Sequence, residues 1–123
     1  MHRIALIEDN ADNRLLVQAM IGHLYEIVEY VDGPSALEGM RQTPPDLILL
    51  DISLPGMDGI RVLEAIRQDP VLQSKPVIAV TAHAMAGDRE HYLSLGFDGY
   101  VTKPIVSDAI LLEAITPLLD RQA

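Results

Sequence analysis

Residues 4–10 read IALIEDN: four apolar side chains in a row, Ile4, Ala5, Leu6 and Ile7, followed by two acids, Glu8 and Asp9. A short continuous apolar run, unlike an alternating one, predicts a strand covered on both faces. Neighbouring carboxylates at its end repel each other and lose hydration, so the pair is best understood if something positive comes to sit between them. Working outward, similar β-branched-rich runs recur at residues 27–31, 47–50, 77–80 and 99–102. Helical spacing fills the gaps: Leu16, Met20 and Leu24; Ala36, Leu37 and Met40; Val62, Leu63 and Ile66; Leu93 and its neighbours; Ile110, Leu111, Ala114 and Ile115. Five strands alternating with five helices predict an α/β fold with a parallel, doubly wound sheet and right-handed crossovers. Ligands of such sheets bind at the carboxyl ends of the strands.

Turn and cap residues support these boundaries. Asp32-Gly33-Pro34 puts proline in a first helical turn, Thr43-Pro44-Pro45 ends that helix, and Ser107 can cap the last one. Pro117 lies inside the last helical pattern, where it lacks a donor and crowds the preceding turn; a kink or an end near Ile115 is expected. No internal repeat or linker interrupts the 123 residues, which are read as one domain, 1–123.

Composition narrows the function. No stretch approaches the roughly 20 apolar residues a membrane span needs, and Met1-His2-Arg3 leads into a strand pattern, so a soluble, cytoplasmic protein is expected, without membrane contact. The absence of cysteine excludes disulfides, thiolate metal sites and thiol nucleophiles. A net charge of -9, with nine scattered Lys and Arg, argues against direct nucleic-acid binding. The Met1 start and the end soon after the fifth helix favour a stand-alone protein.

The strand ends hold the chemistry. Glu8 and Asp9 follow the first strand, Asp51 ends the third, Thr81 ends the fourth, and Lys103-Pro104 follows the fifth. If these strands are near neighbours, three carboxylates, a hydroxyl and an ammonium share one rim. Oxygen ligands at this charge density suit a hard divalent cation, magnesium better than a caged calcium. With a cation bound, a carboxylate such as Asp51 can approach a phosphoryl group, Thr81 can donate a hydrogen bond and Lys103 can compensate the added charge. The composition is that of a phosphoryl-transfer site.

The segments "LIEDN", "PDLILLDISLPGMDG", "VIAVTAHA" and "GYVTKPI", in this order, closely resemble the response-regulator receiver domains of two-component signalling. The resemblance spans essentially the whole chain and extends to single-domain regulators of the chemotaxis and cell-cycle types and to receivers of hybrid kinases. It implies a flavodoxin-like sheet in strand order 2-1-3-4-5. It further implies that Asp51 accepts a phosphoryl group from a phosphohistidine of a sensor histidine kinase or a histidine phosphotransfer domain. Magnesium would be held by Asp9, Asp51 and the backbone carbonyl of Ser53, with Glu8 acting through water. Thr81 and Lys103 would contact the phosphoryl oxygens, and the Lys103-Pro104 bond would be cis. Tyr100 maps to an aromatic switch coupled to Thr81, and the readout surface for a downstream protein target to the fourth helix, fifth strand and fifth helix, with Arg89 and Tyr100 on that face. Ser53 and His83 occupy positions that tune phosphoryl lifetime. On this reading the chain is no enzyme beyond its own phosphotransfer and autodephosphorylation.

Simpler roles exist for each residue alone. Glu8 and Asp9 could decorate a helix N-terminus, Asp51 could cap a loop, Lys103 could lie on the surface and Tyr100 could be a half-buried core ring. Only the site reading explains them together. Pro55-Gly56 and Asp58-Gly59 read as turn chemistry. His2, His23 and His91 lack spaced metal partners, and Met57 and Met85 read as packing. Two rivals are a magnesium-dependent aspartyl-phosphate phosphatase, disfavoured by the mid-chain acceptor and the lack of a cap-sized insertion, and a receiver acting without phosphorylation.

Overall fold

The computed structural model describes residues 1–82 and 87–120; His83 and Met85 lie outside the described residues. Strands and helices alternate: β1 (Arg3–Ile7), α1 (Ala11–Ile21), β2 (Glu26–Tyr30), α2 (Gly33–Gln42), β3 (Leu47–Asp51), α3 (Gly59–Gln68), β4 (Val77–Thr81), α4 (Asp88–Leu95), β5 (Gly99–Thr102) and α5 (Asp108–Asp120). The five strands form one sheet in the order β2-β1-β3-β4-β5, and every pairing is parallel. This is the order expected of a doubly wound sheet.

Side-chain alternation along the inner strands sorts the core into two layers. Ala5, Ile7, Ile48, Leu50 and Ala79 face the buried side chains of α2, α3 and α4, among them Met40, Leu63, Ile66 and Tyr92. Ile4, Leu6, Leu47, Leu49, Ile78 and Val80 face Val17 and Ile21 of α1 and Leu111, Ile115, Leu118 and Leu119 of α5. A continuous apolar run is therefore what β1, β3 and β4 require. β2 departs from the expectation: it lies at an edge, Glu26 and Glu29 are exposed, and no residue of it is fully buried. The covering on both faces is incomplete there: Tyr30 packs partly against one core layer and Ile27 partly against the other.

Side-chain caps start α1, α2, α3 and α5. Asn10, Asp32 and Asp58 accept hydrogen bonds from the backbone N–H of Asn13, Ser35 and Arg61, at 3.0, 2.8 and 3.0 Å, each satisfying a donor that the first helical turn leaves open. Ser107 Oγ accepts from Ala109 N at 3.1 Å, so the expected cap of α5 forms. Two helical expectations are corrected. Leu24 is 44% exposed and lies beyond α1, which ends at Ile21 with Gly22 as its cap. α5 does not end near Ile115: it runs through Pro117 to Asp120. Pro117 is itself exposed, while Leu118 and Leu119 are buried. Burial of those two side chains, roughly 1.5–3 kcal/mol each, offsets the donor that proline lacks.

At the amino ends of the strands, opposite the acidic rim, Arg67 of α3 ties loops together. Its guanidinium donates to the carbonyls of Gln73, Lys75 and Gly96 at 3.1, 2.8 and 2.8 Å and to Asp98 Oδ2 at 2.8 Å. Asp98 Oδ2 also accepts from the N–H of Val77, the first residue of β4. Arg41 and Asp69 make a second link, an ion pair between α2 and the end of α3.

Candidate functional site

Because every strand runs the same way, the carboxyl ends of β1, β3, β4 and β5 open onto one rim. Asp51 pairs in register with Val80, and Thr81 with Thr102. Asp51 and Thr81 thus close their strands side by side, and Lys103 is the next residue after β5. Lys103 N donates to the Thr81 carbonyl at 2.8 Å, which extends the ladder to the lysine. The Lys103–Pro104 bond is cis, as the resemblance implied.

Side chains of Glu8, Asp51 and Lys103 meet on this rim. Lys103 Nζ lies 2.8 Å from Glu8 Oε1 and 3.0 Å from Asp51 Oδ2. It bridges acids at the ends of β1 and β3, whereas the neighbour of Glu8 in the chain, Asp9, is exposed. Asp51 Oδ1 accepts from Ser53 N at 3.0 Å, so the loop-capping role considered for this residue coexists with its place at the rim. Glu8 Oε2 accepts from Asn10 N at 3.2 Å, and Glu8 N donates to the Tyr30 carbonyl at 3.0 Å. Glu8 and Asp51 are each 3% exposed and Thr81 is fully buried, whereas Asp9 is exposed.

Burial pushes the Glu8 carboxyl above its ordinary range; the Asp51 carboxylate adds to the rise, and the Lys103 ammonium opposes it. Burial acts to lower Lys103, but hydrogen bonds and attraction to Glu8 and Asp51 outweigh it and raise the lysine. Glu8 and Lys103 are therefore each conditioned by the other.

Glu8, Asp9 and Asp51 each offer an oxygen, and these oxygens lie within 4.8 Å of one another. The donor set is all oxygen and carries several negative charges, which fits a hard cation that keeps some of its waters.

Tyr100 of β5 is half-buried. Its ring stacks on Tyr92 of α4, with centroids 5.6 Å apart and planes inclined by 21°, and Tyr92 in turn meets Phe97 edge-on at 5.9 Å. Burial raises the Tyr100 hydroxyl above its usual range, assisted by the charge of Asp88. Arg89 is exposed and borders, with Tyr100, Ile110, Glu113 and Pro117, an open hollow of about 360 Å³ between α4, β5 and α5. Ser53 is exposed beside the rim. Pro55-Gly56 forms a turn in which Gly56 has φ of 77°, and Asp58 caps α3, so both are the turn elements expected. His2, His23 and His91 are all exposed, and Met57 packs against the core.

Sequence reading missed three residues, two at this rim and one on α4. Asn10 both caps α1 and holds Glu8; its signal was the preference for asparagine directly before a helix. Tyr92, rather than Leu93, is the buried residue of α4. Arg14 reaches the carbonyl of Glu8, a backbone contact that side-chain patterns do not reveal.

Comparison with known proteins places this geometry. The family model described as "Response regulator receiver domain" matches residues 4–116. The chain belongs to the response regulator receiver family. Receiver domains serve two-component phosphorelay signalling, and the relatives of this receiver are signalling domains. It is 45% identical over 108 residues to the signal transduction histidine-protein kinase BarA of Escherichia coli K12, covering 87% of this chain and 12% of that protein. It is 41% identical over 103 residues to the polar-differentiation response regulator DivK of Brucella anthropi, covering 83% of this chain and 84% of that one. Among solved structures, the receiver domain of sensor histidine kinase PA1611 from Pseudomonas aeruginosa PAO1, described with magnesium coordinated in its active-site cleft, superposes with a TM-score of 0.86 at 33% identity over 97% of this chain and 98% of that one. The chemotaxis protein CheY4 of Vibrio cholerae shares the fold, with a TM-score of 0.86 at 22% identity over 96% of this chain and 98% of that one. The receiver thus spans about an eighth of BarA but most of DivK. Among the described residues, no helix is long and apolar enough to cross a membrane.

Proposed function

We propose that the receiver accepts a phosphoryl group on Asp51 from the phosphohistidine of a sensor histidine kinase or a histidine phosphotransfer domain. An Asp51 carboxylate oxygen forms the new bond to phosphorus as the phosphorus–nitrogen bond breaks, leaving an acyl phosphate and a free imidazole. Magnesium, when bound, supplies charge neutralisation at the phosphoryl oxygens; Asp9, Asp51 and the Ser53 carbonyl would hold it. Both Glu8 oxygens already have protein partners, Lys103 and Asn10, which supports a part for Glu8 through water. Lys103 moves from compensating two carboxylates to contacting the phosphoryl group, and Thr81 donates to that group from β4.

The single observation that carries this reading is the meeting of Lys103 with Glu8 and Asp51 on a rim where Asp9 also offers an oxygen. The test is intact mass after incubation with a small phosphodonor and magnesium. The wild-type chain gains one phosphoryl group and Asp51→Asn gains none; equal gain in both, or gain in neither, overturns the assignment.

On the same reading residues 1–123 act as one receiver domain in the cytoplasm, without membrane or direct nucleic-acid contact. Hydrolysis of the acyl phosphate is its own, at a rate that the side chains of Ser53 and His83 alter. Phosphorylation adds a charge of about -1.5 to -2, which draws Thr81 and biases Tyr100. The switched surface, formed by α4, β5 and α5 with Arg89 and Tyr100 upon it, engages a downstream protein.

A further inference from the structure

We infer that Arg14 is a positioning residue for the acidic rim, setting the direction in which Asp9 presents its carboxylate to a divalent cation. The inference rests on the proposed function and deepens it. Arg14 lies on the first turn of α1, and its guanidinium is a bridge. Nη1 donates to the Glu8 carbonyl at 2.9 Å, and Nε donates to Glu29 Oε1 on β2 at 3.0 Å. Glu29 is itself fixed from the other side, because Gln18 Nε2 donates to its Oε2 at 2.8 Å. The Arg14 side chain is 18% exposed and its bond to the Glu8 carbonyl is partly buried, while the Glu29 end of the bridge faces solvent.

The accepting carbonyl matters more than the distance. The Glu8 carbonyl and the Asp9 N–H belong to one rigid peptide plane. Glu8 N is bound to the Tyr30 carbonyl, which orients the preceding plane as an extension of the sheet. The Arg14 bond orients the following one, from which the Asp9 side chain departs. β1 ends at Ile7, so without Arg14 the plane would have no sheet partner to define it. Arg14, with Glu29 and Gln18 behind it, replaces the ladder for one residue beyond the strand. Groups that orient metal ligands from behind are worth about 10- to 100-fold in metal affinity.

A merely electrostatic role predicts the opposite sign. Arg14 carries a positive charge near the acidic cluster, so its removal would strengthen cation binding if charge alone mattered. Positioning requires that removal weaken it. Lysine keeps the charge but cannot hold Glu8 and Glu29 at once with a fork of donors.

The experiment is a magnesium chloride titration of the full chain, followed through the amide resonances of Asp9 and Asp51, for wild type, Arg14→Ala, Arg14→Lys and Glu29→Gln. Arg14→Ala is expected to weaken magnesium binding by about tenfold, at the lower end of the range for such groups. Arg14→Lys and Glu29→Gln shift it in the same direction by less. The Asp9 amide nitrogen resonance moves in the metal-free Arg14 variants, because the bond on the preceding carbonyl is lost. Tighter binding in Arg14→Ala, wild-type affinity in Arg14→Lys, or an unmoved Asp9 resonance with unchanged affinity overturns the positioning role. A wild-type chain with no saturable response to magnesium removes the proposed function as well. If Arg14→Ala does not fold, Arg14→Lys and Glu29→Gln decide the matter.

Discussion

Lys103→Met removes the ammonium lying 2.8 Å from Glu8 and 3.0 Å from Asp51. At an effective dielectric near 20, each of those contacts carries roughly 5–6 kcal/mol of attraction. Dehydration of the ions takes back several kcal/mol per group, so the net worth of the cluster is much smaller. The variant, however, keeps both buried carboxylates and loses their counter-charge, and such a loss costs about 3–5 kcal/mol. The lysine side chain is 18% exposed, which places the expected cost near the lower end, about 3 kcal/mol. An unfolding entropy of ~2.1 cal/mol/K per residue gives ~0.26 kcal/mol/K for 123 residues, hence a fall in Tm of about 12 °C.

The assay is thermal unfolding followed by far-ultraviolet circular dichroism near neutral pH, with and without magnesium. Magnesium should raise the Tm of the variant more than that of the wild type, because the cation binds a rim with one positive charge fewer. Acid should narrow the gap as well. Glu8 has a folded-state pKa raised by burial, and removing Lys103 takes away the group that opposes the rise. A carboxyl whose folded pKa is raised holds its proton more tightly when folded, so stability increases as pH falls through that pKa. A drop in Tm of less than about 3 °C without magnesium, or an equal drop with and without it, would refute the reasoning.

Three further outcomes are expected. Pro117→Ala restores a backbone donor within α5 at an exposed position, and should raise the urea midpoint by the equivalent of about 1–2 kcal/mol with an unchanged slope; a lower midpoint contradicts the account of that helix. Gly59→Ala would bring a Cβ to 2.6 Å from the Asp51 carbonyl oxygen and 2.7 Å from Ile52 Cα, so it should cost about 1–3 kcal/mol and move the Asp51 amide resonance, while a silent substitution would show that α3 is free to retreat. Asp69 has its carboxyl held below the ordinary range by Arg41 and by the Val71 N–H; its contribution is therefore present above the ordinary carboxylate pKa and lost as pH falls through the lowered one. The stability difference between wild type and Asp69→Asn should accordingly shrink in acid, and a difference that is constant or grows would contradict that origin.

The rim was readable because a parallel sheet brings strand ends together wherever they stand in the sequence. Glu8, Asp51, Thr81 and Lys103 each stand at or just past the end of a strand run, and that position, with the strand order the resemblance implies, predicts their sharing one rim. What escaped reading depends on facts that a linear pattern does not contain. β2 looks apolar enough to be central, and its edge position follows from strand order, not from its residues. Leu24 continues the spacing of α1, yet Gly22 ends that helix first. Pro117 obeys local rules for a helix end, but Leu118 and Leu119 are held by the core beyond it. Arg14 acts through a main-chain oxygen, and Tyr92 through a ring on another element. Side-chain periodicity reports faces; it is silent about carbonyls and about which aromatic meets which.

The Arg67 network gives the molecule an anchored floor. Four hydrogen bonds from one guanidinium bind the segments that lead into β4 and β5, and Asp98 ties the first residue of β4 to the same knot. Both strands are thus clamped at the end opposite the acidic rim. Sliding either strand lengthwise would break this knot, so the rim ends of β4 and β5 are freer to shift sideways than along the chain, much as a cantilever fixed at its base moves only at its tip.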